Sequence, residues 1–164
     1  MSHSADMNMS ALISELERDE GVRLSAYRCT AGFLTIGVGR NLDTNKLTAD
    51  ELAFVGHDGR KKPITKSQSD YLLKNDIEKV CAELLKFLPW WAYLGDVRKR
   101  VLVNMAFNLG TAGLLKFTNT LALIRSGSYA QAAAEMVKSK WAKQVGKRAD
   151  RLANMMKTGE VADD

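Results

Sequence analysis

The sequence predicts an α+β fold, on three observations. Strand signals appear only near the start, in a hairpin over Tyr27–Ile36, helix-starting and helix-ending signals recur through the rest of the chain, and no linker, repeat or low-complexity tract divides it. With 164 residues, 46% of them hydrophobic, the chain is long enough to bury a core and short enough to form a single domain over 1–164.

The elements follow in order. Met9, Leu12, Ile13 and Leu16 repeat at helical spacing, and Gly21 stands where a left-handed C-cap would close that helix just after Glu20. Ala31-Gly32, between Tyr27-Arg28-Cys29 and Phe33-Leu34-Thr35-Ile36, reads as a hairpin turn, with Gly37 and Gly39 allowing close backbone approach. Thr48-Ala49-Asp50-Glu51 and Thr65-Lys66-Ser67-Gln68 are capping boxes; Gly56 ends the first of these helices and Pro89 follows the second. From about Lys66 to Leu88 the second would span roughly 33 Å, enough to link two lobes.

After Pro89 the pattern is helical. Asp96 can cap a helix through Leu109, with Gly110 behind it, and Ser128-Tyr129-Ala130-Gln131 is a third capping box. Val97, Val101, Leu102, Met105 and Leu109 form an apolar stripe, to be met by Leu121, Ile124, Met136, Val137, Leu152 and Met155. The seven methionines and the Trp90-Trp91 pair read first as core filling.

A charge of +5 and a pI near 9.2 favour anionic partners without choosing among wall polymer, nucleic acid and a membrane surface. The clusters Arg98-Lys99-Arg100 and Lys138 to Arg151 read first as solvated helix faces, and no groove-reading helix or stacking motif points to nucleic acid. Met1–Ser10 has no apolar export run and nothing later reaches membrane-span length, so no stable membrane insertion is expected. Gly37-Val38-Gly39 lacks the third glycine of a dinucleotide fingerprint, His3 and His57 have no partners at metal-ligand spacing, and no glycine elbow supports a Cys29–His57 nucleophile pair. No metal or cofactor is expected. Cys29 and Cys81 do not amount to a disulfide framework and are expected to be reduced.

The chemistry concentrates around the hairpin. Glu20, at a helix C-terminus where unsatisfied carbonyls disfavour an ionised carboxylate, suits a general acid. The hairpin would carry a thiol, Cys29, and a hydroxyl, Thr35, back beside it. Eight residues separate Glu20 from Cys29 and five separate Cys29 from Thr35. This spacing resembles the active-site motif of the phage-type lysozymes, the T-even endolysin family, in which the second position is usually Asp and sometimes Cys. The resemblance extends through Val103-Asn104-Met105-Ala106-Phe107-Asn108-Leu109-Gly110, Lys116-Phe117-Thr118-Asn119-Thr120, Lys138-Ser139-Lys140-Trp141 and Lys147-Arg148-Ala149.

The resemblance implies a lysozyme-like architecture: a small lobe with a hairpin over about 12–65, a linking helix over about 66–88, a helical lobe over about 89–160 packed with the N-terminal helix, and an active-site cleft between the lobes. It implies hydrolysis of the β-1,4 bond between N-acetylmuramic acid and N-acetylglucosamine in peptidoglycan. Glu20 would be the acid, with Cys29 and Thr35 positioning or activating water. Three roles are open to Cys29, namely thiolate base, covalent nucleophile, or a neutral group that holds water with Thr35; the resemblance points to water positioning with inversion. Arg148 matches an arginine that pairs with the catalytic glutamate and its acidic neighbour, here Glu20 and Asp19, and its charge would oppose the helix-end effect on Glu20. Asn41, Phe107, Asn108 and Thr120 correspond to substrate-binding positions. Arg40 departs from the histidine common at its place, so the ion pair that histidine makes is not carried over.

By the same resemblance the protein is expected to act as a monomer on glycan strands. It would be made in the host cytoplasm and reach the periplasmic wall after a holin permeabilises the membrane, in host cell lysis. A lytic transglycosylase and a non-catalytic wall-binding protein are the competing functions; the first needs no water-holding group, which Thr35 and Cys29 supply.

Overall fold

The computed structural model describes residues 6–162. His3 and the first half of the stretch considered for export lie outside them. The chain is mostly helical with one small antiparallel sheet, as the α+β expectation required. It divides into two compact units, one over Met9–Glu78 and one from Lys79 onward together with the residues just ahead of Met9. No helix among the described residues is long and apolar enough to cross a membrane.

The first unit opens with α1, Met9–Glu20, which buries Leu12 and Leu16, one turn apart. Strands β1 (Arg23–Arg28), β2 (Leu34–Gly37) and β3 (Arg40–Asn41) follow in sheet order β1-β2-β3. The hairpin pairs Tyr27 with Thr35 and Arg28 with Leu34, with a register irregularity between Arg23 and Tyr27. The third strand has no signal in the sequence, since two residues are too few for an alternation. Its place comes from pairing, Thr35 with Asn41 and Ile36 with Arg40. The core beneath gathers Ile36, Leu42, Leu47, Val55, Ile64 and Leu72, with Ala26, Leu34 and Tyr71 packed against it.

Helix α2, Ala49–Val55, starts on the expected capping box and ends on Gly56 at φ 86°. Helix α3, Lys66–Phe87, starts on the other, with the Thr65 amide donating to Gln68 Oε1 and the Gln68 amide to Thr65 Oγ1. Buried Arg40 joins β3, the following loop, α2 and α3. Its Nε donates to the Asn45 carbonyl at 2.7 Å, its Nη2 to the Lys46 carbonyl and to Glu51 Oε1 at 2.6 Å, and its Nη1 to Glu51 Oε2 and to Asp76 Oδ1 at 3.0 Å. Asn75 and the Thr48 amide donate to the same Glu51 carboxylate.

In the second unit a 3-10 turn, Pro89–Tyr93, precedes α4, Asp96–Leu109. Gly95 rather than Asp96 is its cap residue; Asp96 is the first helical residue, pairing with Arg100 and accepting from the Asn8 amide at 2.6 Å. A single apolar stripe is too narrow a description of α4. Every residue from Lys99 to Ala106 is buried, as befits a central helix, whereas Val97 and Leu109 are only half-buried. Helices α5 (Thr111–Leu115), α6 (Thr118–Arg125), α7 (Tyr129–Lys138), α8 (Lys140–Val145) and α9 (Lys147–Thr158) follow, with α7 packed on α6 and α9, and α4 on α9.

Two further expectations do not hold. Ser128 makes no side-chain cap; its hydroxyl lies 3.3 Å from that of Ser126, and its ψ of 65° turns the chain away from cap geometry. Val137 is exposed, because α7 turns Ala133 and Met136 inward instead. Arg98 closes α9, donating to the carbonyls of Met156 and Lys157 and lying 3.6 Å over the Tyr129 ring.

Three stability outcomes follow. Burial pushes the Glu51 carboxyl up, but hydrogen bonds from Arg40, Asn75 and Thr48 outweigh it and hold it at about 2, against an ordinary 4.5. A depressed carboxylate stabilises the fold fully above its unfolded value, so about 3 kcal/mol should be lost as pH falls from 4.5 through about 2, read by urea unfolding across that range. Arg40→Met, which takes the guanidinium from the buried Glu51 carboxylate and from half-buried Asp76, should cost about 3–5 kcal/mol at neutral pH. Conversely, the buried Ser69 hydroxyl has no hydrogen-bond partner and faces Gly37, so Ser69→Ala should leave stability unchanged or raise it by about 1 kcal/mol.

Candidate active site

Glu20 is the last residue of α1, and the Gly21 amide returns to the Glu17 carbonyl at 2.9 Å, closing the helix as expected. The Glu20 side chain points at the backbone ahead of β3: a Cβ placed on Gly39 would lie 3.4 Å from Glu20 Oε2. Gly39 also has φ 69°, so a larger residue would be strained there and would crowd the carboxylate. Asp19 precedes it with its side chain buried, its Oδ1 lying 3.7 Å from Arg18 Nε.

Cys29 follows β1 directly, in the turn. Its amide donates to the Phe33 carbonyl at 2.9 Å, and its carbonyl accepts from the Gly32 amide at 2.8 Å. Gly32, at φ 87°, supplies the positive φ that lets the turn close so tightly. A hydrogen bond from the Phe33 backbone is the chief reason the Cys29 thiol is held below its ordinary value; slight desolvation opposes it, and the Ala31 backbone, the Thr35 side chain and the Gly32 backbone add to it. These neighbours favour the thiolate.

Thr35, on β2 beside Tyr27, is buried, and its hydroxyl donates to the Phe33 carbonyl at 3.0 Å. A hydroxyl carries one proton and two acceptor lone pairs. With Cys29 as a thiol, Thr35 can keep this bond and accept from the sulfur; with a thiolate it can turn its proton to the sulfur instead.

Asn41 lies on β3 opposite Thr35, and its Oδ1 accepts from the Asp43 and Thr44 amides. Glu20, Cys29, Thr35, Asn41 and Asp19 thus all belong to the Met9–Glu78 unit, where one short sheet carries the thiol, the hydroxyl and the segment facing the acid. The remaining sequence-predicted residues belong to the other unit. Phe107 and Asn108 lie on the last turns of α4, Asn108 Oδ1 accepting from Trp141 Nε1 at 2.7 Å. Thr120 is buried on α6, and buried Arg148 donates through Nε to Asn104 at 3.0 Å. Arg40, expected to forfeit an ion pair through departure from histidine, instead makes two, to Glu51 and Asp76.

Sequence reasoning missed two contributors. Gly39 carries a signal for close approach but none for its partner, Glu20. Asp43 stands in Asn41-Leu42-Asp43, whose short polar side chains commonly fold back on a turn, and that pattern could have found it. His57 is a turn residue, its Nδ1 accepting from the Gly59 amide at 3.0 Å. Among the described residues no cluster of His, Cys, Asp or Glu could hold a metal ion, and Cys29 and Cys81 are not joined in a disulfide.

The chain matches the phage lysozyme family over residues 17–157, a span that includes every residue placed above in a catalytic or supporting role. It is 31% identical to probable T4-type lysozyme 1 of Dictyostelium discoideum, over 93% of this chain and 97% of that protein. It is 31% identical to an endolysin of Acyrthosiphon pisum secondary endosymbiont phage 1, over 81% of this chain and 80% of the endolysin. It is also 30% identical to the pre-baseplate central spike protein Gp5 of Enterobacteria phage T4, with 94% of this chain matching only 28% of that longer protein. On this agreement across nearly the whole chain, the protein belongs to the phage lysozyme family and is a cell-wall hydrolase of the lysozyme type.

Proposed function

We propose that the protein is an N-acetylmuramidase. It hydrolyses the β-1,4 linkage between N-acetylmuramic acid and N-acetylglucosamine, with Glu20 protonating the leaving oxygen and water attacking the anomeric carbon from the side of Cys29 and Thr35. The observation that carries this reading is the hairpin turn, in which the Cys29 amide and the Thr35 hydroxyl donate to the same Phe33 carbonyl, at 2.9 and 3.0 Å. A thiolate so held accepts a hydrogen bond from water and can take its proton as the new C–O bond forms. The glycosidic bond breaks toward Glu20, whose proton passes to the leaving sugar, and the anomeric configuration inverts.

Asp19 and Arg148 enter as supporting residues, and Asn41, Phe107, Asn108 and Thr120 as sugar contacts, on the strength of the family resemblance. Their chemistry suits a glycan, because amides and hydroxyls pair with sugar hydroxyls and N-acetyl groups and Phe107 offers an apolar face. We further infer a role in host cell lysis, with synthesis in the host cytoplasm, action in the periplasm once a holin has opened the membrane, and a monomer as the working form.

Glu20→Gln should lower the rate of wall clearing by about 10²-fold or more while leaving folding and wall binding intact; near-normal clearing of permeabilised Gram-negative cells would remove Glu20 from its role. Cys29→Asp should retain activity and Cys29→Ser should lose most of it. Because the wild-type thiol must ionise, its rate should rise with pH through the lowered thiol value, and Cys29→Asp should abolish that rise. Mass spectrometry of the released fragments should show hydrated reducing muropeptides; anhydro sugars would mean a transglycosylase instead.

A further inference from the structure

Asp43 grips both strands of the hairpin near the two residues assigned to water. Its Oδ2 accepts from the amide of Leu34, the residue before Thr35, at 2.9 Å, and lies 3.8 Å from Nη1 of Arg28, the residue before Cys29. That same Arg28 nitrogen donates to the Gly32 carbonyl at 2.9 Å, inside the turn that surrounds the sulfur. On the other side Asp43 Oδ1 meets Arg60 Nη1 at 3.4 Å, and Arg60 Nη2 holds the Leu42 carbonyl at 3.0 Å. The carboxylate is itself held in place, because Asn41 Oδ1 accepts from the Asp43 amide at 2.9 Å.

A surface cluster of this kind adds little to stability. Arg28 is 67% exposed and the Asp43 side chain 33%, and water screens pairs so placed. Its effect is geometric. Residues Arg28 and Leu34 are paired across β1 and β2, so one carboxylate fixes the rung of the hairpin immediately below the turn. Leu34 also accepts from the Leu42 amide at 2.8 Å, so β2 is held from the Asp43 side at both its amide and its carbonyl. Loosening that rung would release the Phe33 carbonyl, which the Cys29 amide and the Thr35 hydroxyl share, and open the turn that the Gly32 amide closes on the Cys29 carbonyl.

We propose that Asp43 is a positioning residue for catalysis: through Leu34 and Arg28 it fixes the hairpin rung from which Cys29 and Thr35 project and keeps the turn around Cys29 closed. The proposal builds on the water-activating roles given above to Cys29 and Thr35, but half of its test does not depend on them. Asp43 suits this role because its neighbours favour its charged form. The Leu34 amide draws its carboxyl below the ordinary carboxylate value, slight desolvation opposing, and Arg60 and Arg28 act in the same direction as the amide.

The test compares Asp43→Ala, Asp43→Asn and Arg60→Ala with wild type, reading the rate at saturating peptidoglycan, the half-saturating wall concentration, and the pH dependence of iodoacetamide alkylation of Cys29 on the intact protein. Cys81 is fully buried, so alkylation of the native protein reports Cys29. Asp43→Ala should reduce the saturating rate by about tenfold with little change in half-saturation. It should also move the alkylation profile up toward the ordinary thiol range. Asp43→Asn keeps an acceptor for Leu34 and should recover most of both properties, and Arg60→Ala should resemble wild type. An Asp43→Ala protein with unchanged alkylation profile and rate would overturn the proposal, as would an Asp43→Asn protein no better than Asp43→Ala in alkylation. Should Asp43→Ala fail to fold, Arg28→Gln, which leaves the Leu34 bond intact, must itself raise the alkylation profile, and failure to do so is equally decisive. If Cys29 proves dispensable for turnover, only the reading of Cys29 falls, since the alkylation profile still judges what Asp43 does.

Discussion

The guanidinium of Arg40 is the constraint on which the small unit depends. An arginine offers five N–H donors in a planar fork, and here it meets five acceptors: two carbonyls of the loop after β3, both oxygens of Glu51 and one of Asp76. Asn75, the Thr48 amide and Asn45 add neutral donors to the same carboxylates. An imidazole has two nitrogens and could not reach this set. The position thus specifies a local design in which α2, α3 and the loop between β3 and α2 converge on one side chain.

What that cluster secures is the placement of Gly39 and Asn41, the neighbours of Arg40. Gly39 lies against the Glu20 carboxylate and Asn41 pairs with Thr35, so the residue that organises the core also fixes the backbone shared by the acid and the hydroxyl. A three-stranded sheet this small is sufficient because its third strand, paired with β2, is also held from behind by charge through Arg40.

Much of this was legible in the sequence where the signal was local. Thr48 and Thr65 with their glutamate and glutamine three residues on, Gly21 after Glu20, and Gly32 in the turn each act within one turn of backbone, and each stands as read. Where position depends on distant packing, the pattern misleads. Ser128 has a capping-box pattern yet its backbone turns before the helix begins, Val137 is apolar yet faces out, and α4 shows a stripe in sequence while being buried all round. The site followed the same division. The spacing of Glu20, Cys29 and Thr35 is a local property of one helix end and one hairpin, whereas the Arg40 cluster joins residues 40, 51 and 76, and nothing in their sequence neighbourhoods announces the pairing.

The charge arrangement also separates the titration of the scaffold from that of the chemistry. Arginine does not lose its proton in the working range, and Glu51, at about 2, gives up its charge only in strong acid, so the cluster behind β3 is constant from mildly acidic pH upward. Cys29, a thiol drawn down from its ordinary value, is left to titrate within that constant frame, and the amides of its turn carry no proton to exchange with it. A carboxylate of ordinary acidity at the Cys29 position would be ionised from mildly acidic pH upward and could not report pH there at all. A thiol at the same position makes the ionised fraction of the group proposed to hold water a function of pH while the surrounding geometry stays fixed. The chemical consequence of the Cys is therefore a site whose basicity can vary without any change in the frame that positions it.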